Sequence, residues 1–231
     1  MTAAPTVRPA RVADAAAISR IYCETLGAGY TTPDAIAREI AEATRLRSRS
    51  RSCWYVAERP AGGHGPFAPP TVAPRSMQGV VGAANAVWVP RASVSELGMP
   101  GFQDVQQQLL ALAPGAARFG LLENVGVLTA HRGLGIGGAL TSARLAWLRG
   151  LGVSFAYSFA WHTPAGCAAE PALRRAGFQF VRELPDFYLE DGLTNGYACP
   201  WCGPACHCSA RLFVLALDPG PGNRGTGDEE D

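Results

Sequence analysis

Apolar residues recur with two different periods along this chain, and the switches between them outline its elements. Residues 6–8 alternate like a short first strand. From Asp14, which can start or cap a helix, Ala17, Ile18, Ile21 and Tyr22 fall at helical spacing. Thr32-Pro33-Asp34 is an N-cap with proline in the first turn, and it opens a second helix to about Arg45. Residues 54–57 and 79–89 read as strands on either side of a loop at 59–74 rich in proline and glycine. Residues 90–117 form a long connection with a helical stretch at 103–112. The pattern then predicts a strand at 119–128, a glycine turn, a helix at 138–149, a strand at 153–161 and a short helix at 168–176. A strand at 178–183 is expected to resume near Tyr188, and the last strand covers 211–217. Residues 218–231 carry no apolar side chain except proline and are expected to be disordered. Strands and helices mixed in this order predict an α/β sheet in two or three layers, within one domain at 1–217.

Composition narrows the chemistry. The chain has 231 residues, enough for one well-cored domain, and a net charge of +1 gives no bulk reason to expect a nucleic-acid partner. No apolar run reaches the length of a membrane span, and residues 1–10 lack the pattern of a signal peptide, so a cytoplasmic protein that engages no membrane is expected. Nothing in the sequence reads out an oligomeric state. Every basic side chain other than histidine is arginine, which excludes a Schiff-base lysine and a Walker lysine. Arg45, Arg47, Arg49 and Arg51 follow the second helix. They read as a solvated helix end or as a positive rim for an acidic ligand.

The most specific signal is Arg132-Gly133-Leu134-Gly135-Ile136-Gly137, continued by Gly138, between a strand and a helix. Such a turn offers unused N–H groups and the positive end of a helix dipole to a phosphate. No Gly-Lys-Ser/Thr follows, so it is not an ATP loop. No acid stands at the end of the next strand, at 155–159, where a dinucleotide fingerprint wants one.

Taken with Glu123-Asn124-Val125-Gly126-Val127 before it, the stretch resembles the acyl-CoA-binding motif of the GNAT acetyltransferase superfamily, Arg/Gln-x-x-Gly-x-Gly/Ala. Val7-Arg8-Pro9-Ala10 with Asp14-Ala15, and Arg174-Arg175-Ala176-Gly177-Phe178, resemble the family's opening strand and a later helix–strand junction. The resemblance covers about residues 6–190. It implies a twisted mixed β-sheet flanked by helices and splayed between its fourth and fifth strands. Acetyl-CoA would be the cosubstrate, with Val125 and Val127 beside its pantetheine arm and the turn from Arg132 to Gly138 at its pyrophosphate. It further implies direct attack by an amine in a ternary complex, the acceptor being a small-molecule amine or a protein N-terminus.

Glu123 stands where the family commonly carries its base, and it is the only acid between Arg118 and Ala169. It also reads as a rim carboxylate paired to an arginine. The tyrosine that many family members carry at the junction is Leu173 here, and the usual asparagine is Gly166. His162, Tyr157 and Tyr188 are the possible replacements as proton donor, with His162 and Tyr188 taken forward. The missing tyrosine also leaves open a non-catalytic acyl-CoA-binding or interaction module.

Cys199-Pro200-Trp201-Cys202-Gly203-Pro204-Ala205-Cys206-His207-Cys208 holds four of the seven cysteines, and Cys-Pro-x-Cys-Gly is a zinc-knuckle pattern. Cys199, Cys202, Cys206 and Cys208 are the candidate ligands of a structural Zn²⁺, with His207 as a further possible ligand. Cys199-Pro200-Trp201-Cys202 also resembles a glutaredoxin redox pair, but Pro204 leaves no room for the long helix such a site needs. Free thiols or disulfides complete the alternatives.

Overall fold

The computed structural model describes residues 5–46, 50–59, 79–96 and 103–218. The expected loop at 59–74 lies outside them beyond Arg59, as do Arg47, Arg49 and the acidic tail after Asp218. Seven strands form one sheet: β1 (Thr6–Pro9), β2 (Ser52–Glu58), β3 (Val80–Pro90), β4 (Arg118–Val127), β5 (Phe155–His162), β6 (Gln179–Leu184) and β7 (Ser209–Ala216). Their order is β1-β2-β3-β4-β5-β7-β6, and only β4 and β5 run parallel. The helices are α1 (Ala15–Thr25), α2 (Pro33–Leu46), α3 (Gln103–Leu112), α4 (Ile136–Gly150), α5 (Glu170–Arg175) and α6 (Leu189–Asn195). Among the described residues no helix is long and apolar enough to cross a membrane.

Helices cover both faces of the sheet, so strand residues alternate between two cores. Ile18, Ile21 and Tyr22 of α1 pack with Trp54, Val56 and Ala83 on one face. Ile136 and Leu140 of α4 pack with Ala57, Val81 and Ala84 on the other. Two glycines let these helices lie close. A Cβ on Gly126 would stand 2.8 Å from Ile21 of α1, and one on Gly82 would stand 2.9 Å from Ile136 of α4.

Most elements fall within a few residues of their expected places, and two differ. The glycines open the helix earlier than expected, since α4 starts at Ile136 behind a left-handed Gly135 (φ 78°). The strand expected to resume near Tyr188 is instead a helix. Pro185 removes a ladder donor and Asp186 turns left-handed (φ 53°), which ends the strand. Residues 189–195 then coil into α6, closed by a left-handed Gly196 whose N–H bonds the Gly192 carbonyl at 2.9 Å.

Candidate active site

Strands β4 and β5 pair for only three residues, Phe119–Leu121 against Phe155–Tyr157. Beyond that point β4 stays with β3 as far as Val127, and β5 stays with β7 as far as His162, so the sheet opens into a wedge. The hydroxyl of Ser158 donates to the Leu122 carbonyl (2.9 Å) as a last cross-link at the apex. Next to this opening β4 bulges: Ala84 and Ala86 of β3 face Val125 and Leu122, so Asn85 alone opposes Glu123 and Asn124. The bulge re-aims the Glu123 carboxylate.

Two residues hold the bulge from opposite faces. Asn85 is 2% exposed. Its Oδ1 accepts from the Asn124 N–H (3.1 Å) and the Tyr22 hydroxyl (3.3 Å), and its Nδ2 donates to Glu123 in a short hydrogen bond. Arg144 of α4, fully buried, donates from Nη1 to the carbonyls of Asn85 (3.2 Å) and Asn124 (3.3 Å). Burial pulls the Arg144 guanidinium down to about 10.

Glu123 lines an open cavity of about 230 Å³, together with Tyr22, Tyr30, Glu39, Trp54, Asp191 and Tyr197 among others. Glu123 is exposed, reaching solvent through the cavity, while its carboxylate stands amid protein atoms at the cavity floor. Burial therefore pushes its pKa above the ordinary value. The Asn85 hydrogen bond opposes that shift and the Glu39 charge adds to it. No salt bridge to Glu123 exists among the described residues, so the arginine-paired alternative is not what the fold builds.

At the far end of β4, Arg132 Nε bonds the Val127 carbonyl (3.1 Å) and ties the glycine turn to the strand. Gly133 (φ 75°) and Gly135 (φ 78°) are left-handed, which favours glycine at both. A Cβ at Gly133, Gly135 or Gly138 would meet no protein atom within 4 Å, so each points its missing side chain into open space. Together with Leu134 and Ile136 they form a backbone cradle at the α4 N-terminus, of the kind that takes an anion. Val125 and Val127 run along the wedge, their side chains packed with Ile136 and Leu140.

No family model and no curated protein matches the sequence. Solved structures do. Arabidopsis thaliana NAA60 in complex with acetyl-CoA superposes with a TM-score of 0.60 at 16% identity, over 92% of this chain and 98% of that one. The GNAT superfamily phosphinothricin acetyltransferase of Sinorhizobium meliloti in complex with acetyl-CoA gives 0.55 at 17% identity, over 99% and 95%. Salmonella typhimurium yncA with its cofactor acetyl-CoA gives 0.54 at 18% identity, over 94% and 95%.

The chain has the GNAT fold.

Within that GNAT frame the remaining candidates separate by face. Strand alternation puts Glu123 with Phe119, Leu121 and Tyr157, on the side of the cavity. His162 lies on the opposite side. Its Nδ1 meets Glu183 Oε1 (2.8 Å) and Ser209 Oγ (3.2 Å), a polar group at the ends of β5, β6 and β7. The fold does not bring His162 and Glu123 together. Tyr188 stands on the cavity side, where its hydroxyl donates to the Phe159 carbonyl (3.3 Å), past the point where β4 leaves β5. Its pKa is pushed up by burial first, then by neighbouring Tyr30 and Tyr197. Among the described residues the buried Tyr157 hydroxyl has no hydrogen-bond partner. Leu173 is 3% exposed in the core beside Leu148 and Phe213, so no phenol reaches the site from there.

The four clustered cysteines do converge. Their sulfurs all lie within 4.8 Å of one another, with Cys202 to Cys208 at 3.5 Å and Cys199 to Cys208 at 4.0 Å. Ligands 2.3 Å from a tetrahedral zinc stand about 3.8 Å apart, so the arrangement suits that ion and the cysteines are unbridged. The N–H groups of Trp201 and Cys202 donate to Cys199 Sγ at 3.4 Å, the knuckle geometry that stabilises a thiolate. Burial pushes the Cys199 thiol up, but these donors outweigh it and leave it below the ordinary value. His207 turns away to Asp186 (2.8 Å), outside the cluster.

Sequence reasoning missed Asn85, Arg144, Tyr30, Asp191 and Tyr197. Asn85 did leave a trace, as the lone polar residue in an apolar strand, and so did Arg144, as a charge on the apolar face of a helix.

Proposed function

We propose that the protein is an acetyl-CoA-dependent N-acetyltransferase that acts on a primary amine by direct attack in a ternary complex. The observation that carries this reading is the position of Glu123, on β4 just past its pairing with β5 and on the wall of the cavity. Support also comes from the three structural neighbours above, each solved with acetyl-CoA.

The pantetheine arm would occupy the wedge, its amides pairing with the β4 edge near Val125 and Val127. The pyrophosphate would sit on the backbone of Arg132–Gly138. Glu123 takes one proton from the ammonium form of the acceptor, the freed lone pair forms the C–N bond to the thioester carbonyl carbon, and the nitrogen's second proton leaves to solvent through the cavity. The C–S bond breaks, and Tyr188 supplies the proton for the departing thiolate. The products are the N-acetylated amine and CoA. Cys199, Cys202, Cys206 and Cys208 would hold a structural zinc, which would pin the loop beside the cavity and supply no chemistry to the transfer.

A second reading, a non-catalytic acyl-CoA-binding module, is favoured by Leu173. Isothermal titration with acetyl-CoA tests the shared core of both, and absence of binding by folded protein overturns it. Release of free CoA with an amine pool then separates the enzyme from the module.

A further inference from the structure

The cavity before Glu123 carries more negative charge than the reaction needs. Its walls hold three carboxylates, Glu39, Glu123 and Asp191, and neither arginine nor histidine. Among the described residues none of the three forms a salt bridge. Asp191 is held by neutral donors, the Tyr197 hydroxyl at 2.6 Å and Asn195 Nδ2 at 2.7 Å, and Glu123 by Asn85. Arg38, next to Glu39 on α2, acts on Glu39 electrostatically without pairing to it.

Aromatic rings complete the wall. Tyr30 stacks edge-on to Tyr22 (centroids 6.2 Å) and to Tyr197 (5.2 Å), and its hydroxyl donates to Asn124 Oδ1 at 2.8 Å. Tyr30 thus runs between the catalytic end, at Glu123, and the Asp191 end, and it feels the charge of both carboxylates. Ring faces and carboxylates together select cations and reject anions.

An acceptor nitrogen must lose its charge before it attacks, and it does so at Glu123. It cannot then be the counterion of Asp191 or Glu39. The cavity volume of about 230 Å³ is smaller than a drug-sized pocket. That size suits a short chain. We infer that the acceptor is a short aliphatic diamine, or an equally short amine with another cationic tail, whose reacting nitrogen meets Glu123 while its distal cation rests against Asp191, Tyr30 and Tyr197.

This inference rests on the acetyl-transfer reading, and one matched series tests it. Putrescine, n-butylamine and γ-aminobutyrate share a four-carbon chain and differ in carrying a cationic, neutral or anionic tail. With acetyl-CoA, putrescine should exceed n-butylamine in kcat/KM by about 30-fold, and γ-aminobutyrate should be the poorest. Asp191→Asn should cut the putrescine to n-butylamine ratio to about a tenth, through KM. Glu39→Gln should lower the same ratio, in case the first variant folds poorly. Calorimetry on the CoA-loaded protein should show putrescine binding independently of turnover. Equal rates for putrescine and n-butylamine, a preference for γ-aminobutyrate or for a neutral dipeptide N-terminus, or no putrescine binding overturns the inference. Acetyl-CoA binding, titrated separately, decides the underlying reading: its loss sinks that reading, whereas its presence with no discrimination sinks only the acceptor class.

Discussion

Replacing Glu123 by glutamine separates a catalytic base from a structural carboxylate, because the two roles move activity and stability differently. The substitution keeps the shape and leaves Asn85 Nδ2 an oxygen to bond. It removes a negative charge that has one hydrogen-bond donor, no ion pair, and Glu39 as a like-charged neighbour. Loss of a general base lowers kcat by about 10²–10⁴-fold. In the wild type, kcat/KM should rise with pH through a group titrating above the ordinary carboxylate value, and the variant should lack that limb. The sign of the stability effect follows from linkage. The Glu123 pKa is raised in the folded protein, so its contribution is fully present below the unfolded value and is lost as pH rises through the folded one. At pH 7 the wild type therefore bears a cost that glutamine does not. A tenfold difference in proton affinity between the folded and unfolded chains corresponds to about 1.4 kcal/mol. The cavity admits solvent to the carboxylate, so screening reduces the expected gain to a few tenths of a kcal/mol. Urea melts of both proteins at pH 7 and near pH 4 should show the variant ahead at pH 7 and level at the lower pH. An unchanged kcat across pH, or a variant less stable at pH 7, refutes the assignment.

Two further outcomes are expected. Protein purified without added metal should carry about one equivalent of zinc by elemental analysis. Cys208→Ser should lose it, lower Tm and raise KM for the amine more than the acetyl-CoA Kd; full activity in a zinc-free variant would dissociate the loop from the site. Gly126→Ala would place a Cβ 2.6 Å from Thr25 Oγ1 and 2.8 Å from Ile21 Cγ2. It should cost about 1–3 kcal/mol in denaturant melts by pushing α1 off β4, and a change under about 0.5 kcal/mol would mean the helix yields freely.

How legible each part of the site was depends on how local it is in the chain. The phosphate turn lies within one strand–turn–helix unit, so Arg132, Gly133, Gly135 and Gly137 could be read directly. Glu123 stood out as a lone acid in an apolar strand. The cavity is different, since Tyr30, Glu39, Asn85 and Asp191 come from four distant segments and meet only because β3 and β4 pair and α6 folds across them. Helix α6 itself left little trace. It has seven residues, includes Gly192, and starts at Tyr188 without a side-chain cap, so neither periodicity nor capping chemistry announced it. Strand parity puts His162 on one side of the sheet, whereas Tyr188 reaches the other only through the turn at Asp186 and the start of α6.

The cavity wall away from the sheet is made of short pieces: the turn at 27–30, α6, and Tyr197 after it. A seven-residue helix does not hold itself, and the turn and Tyr197 segment join through a two-residue bridge, with Ala28 and Ala198 exchanging N–H···O bonds of 3.1 and 3.0 Å, and through the Tyr30–Tyr197 ring contact. Gly27 allows that bridge, since a Cβ there would stand 2.7 Å from the Ala198 carbonyl oxygen. The next residue is Cys199, buried with Cys206 and Cys208 against Tyr188 and Trp161. A four-thiolate zinc at this point would supply folding energy to these short pieces. Held there, it would fix Ala198, hence Tyr197, hence the hydroxyl that holds Asp191. Tyr188 sits against the same cluster from the other side. The cysteine loop and the proposed proton donor are therefore one packed unit, and on the proposed reading the acceptor wall would be only as well ordered as the four sulfurs beside it.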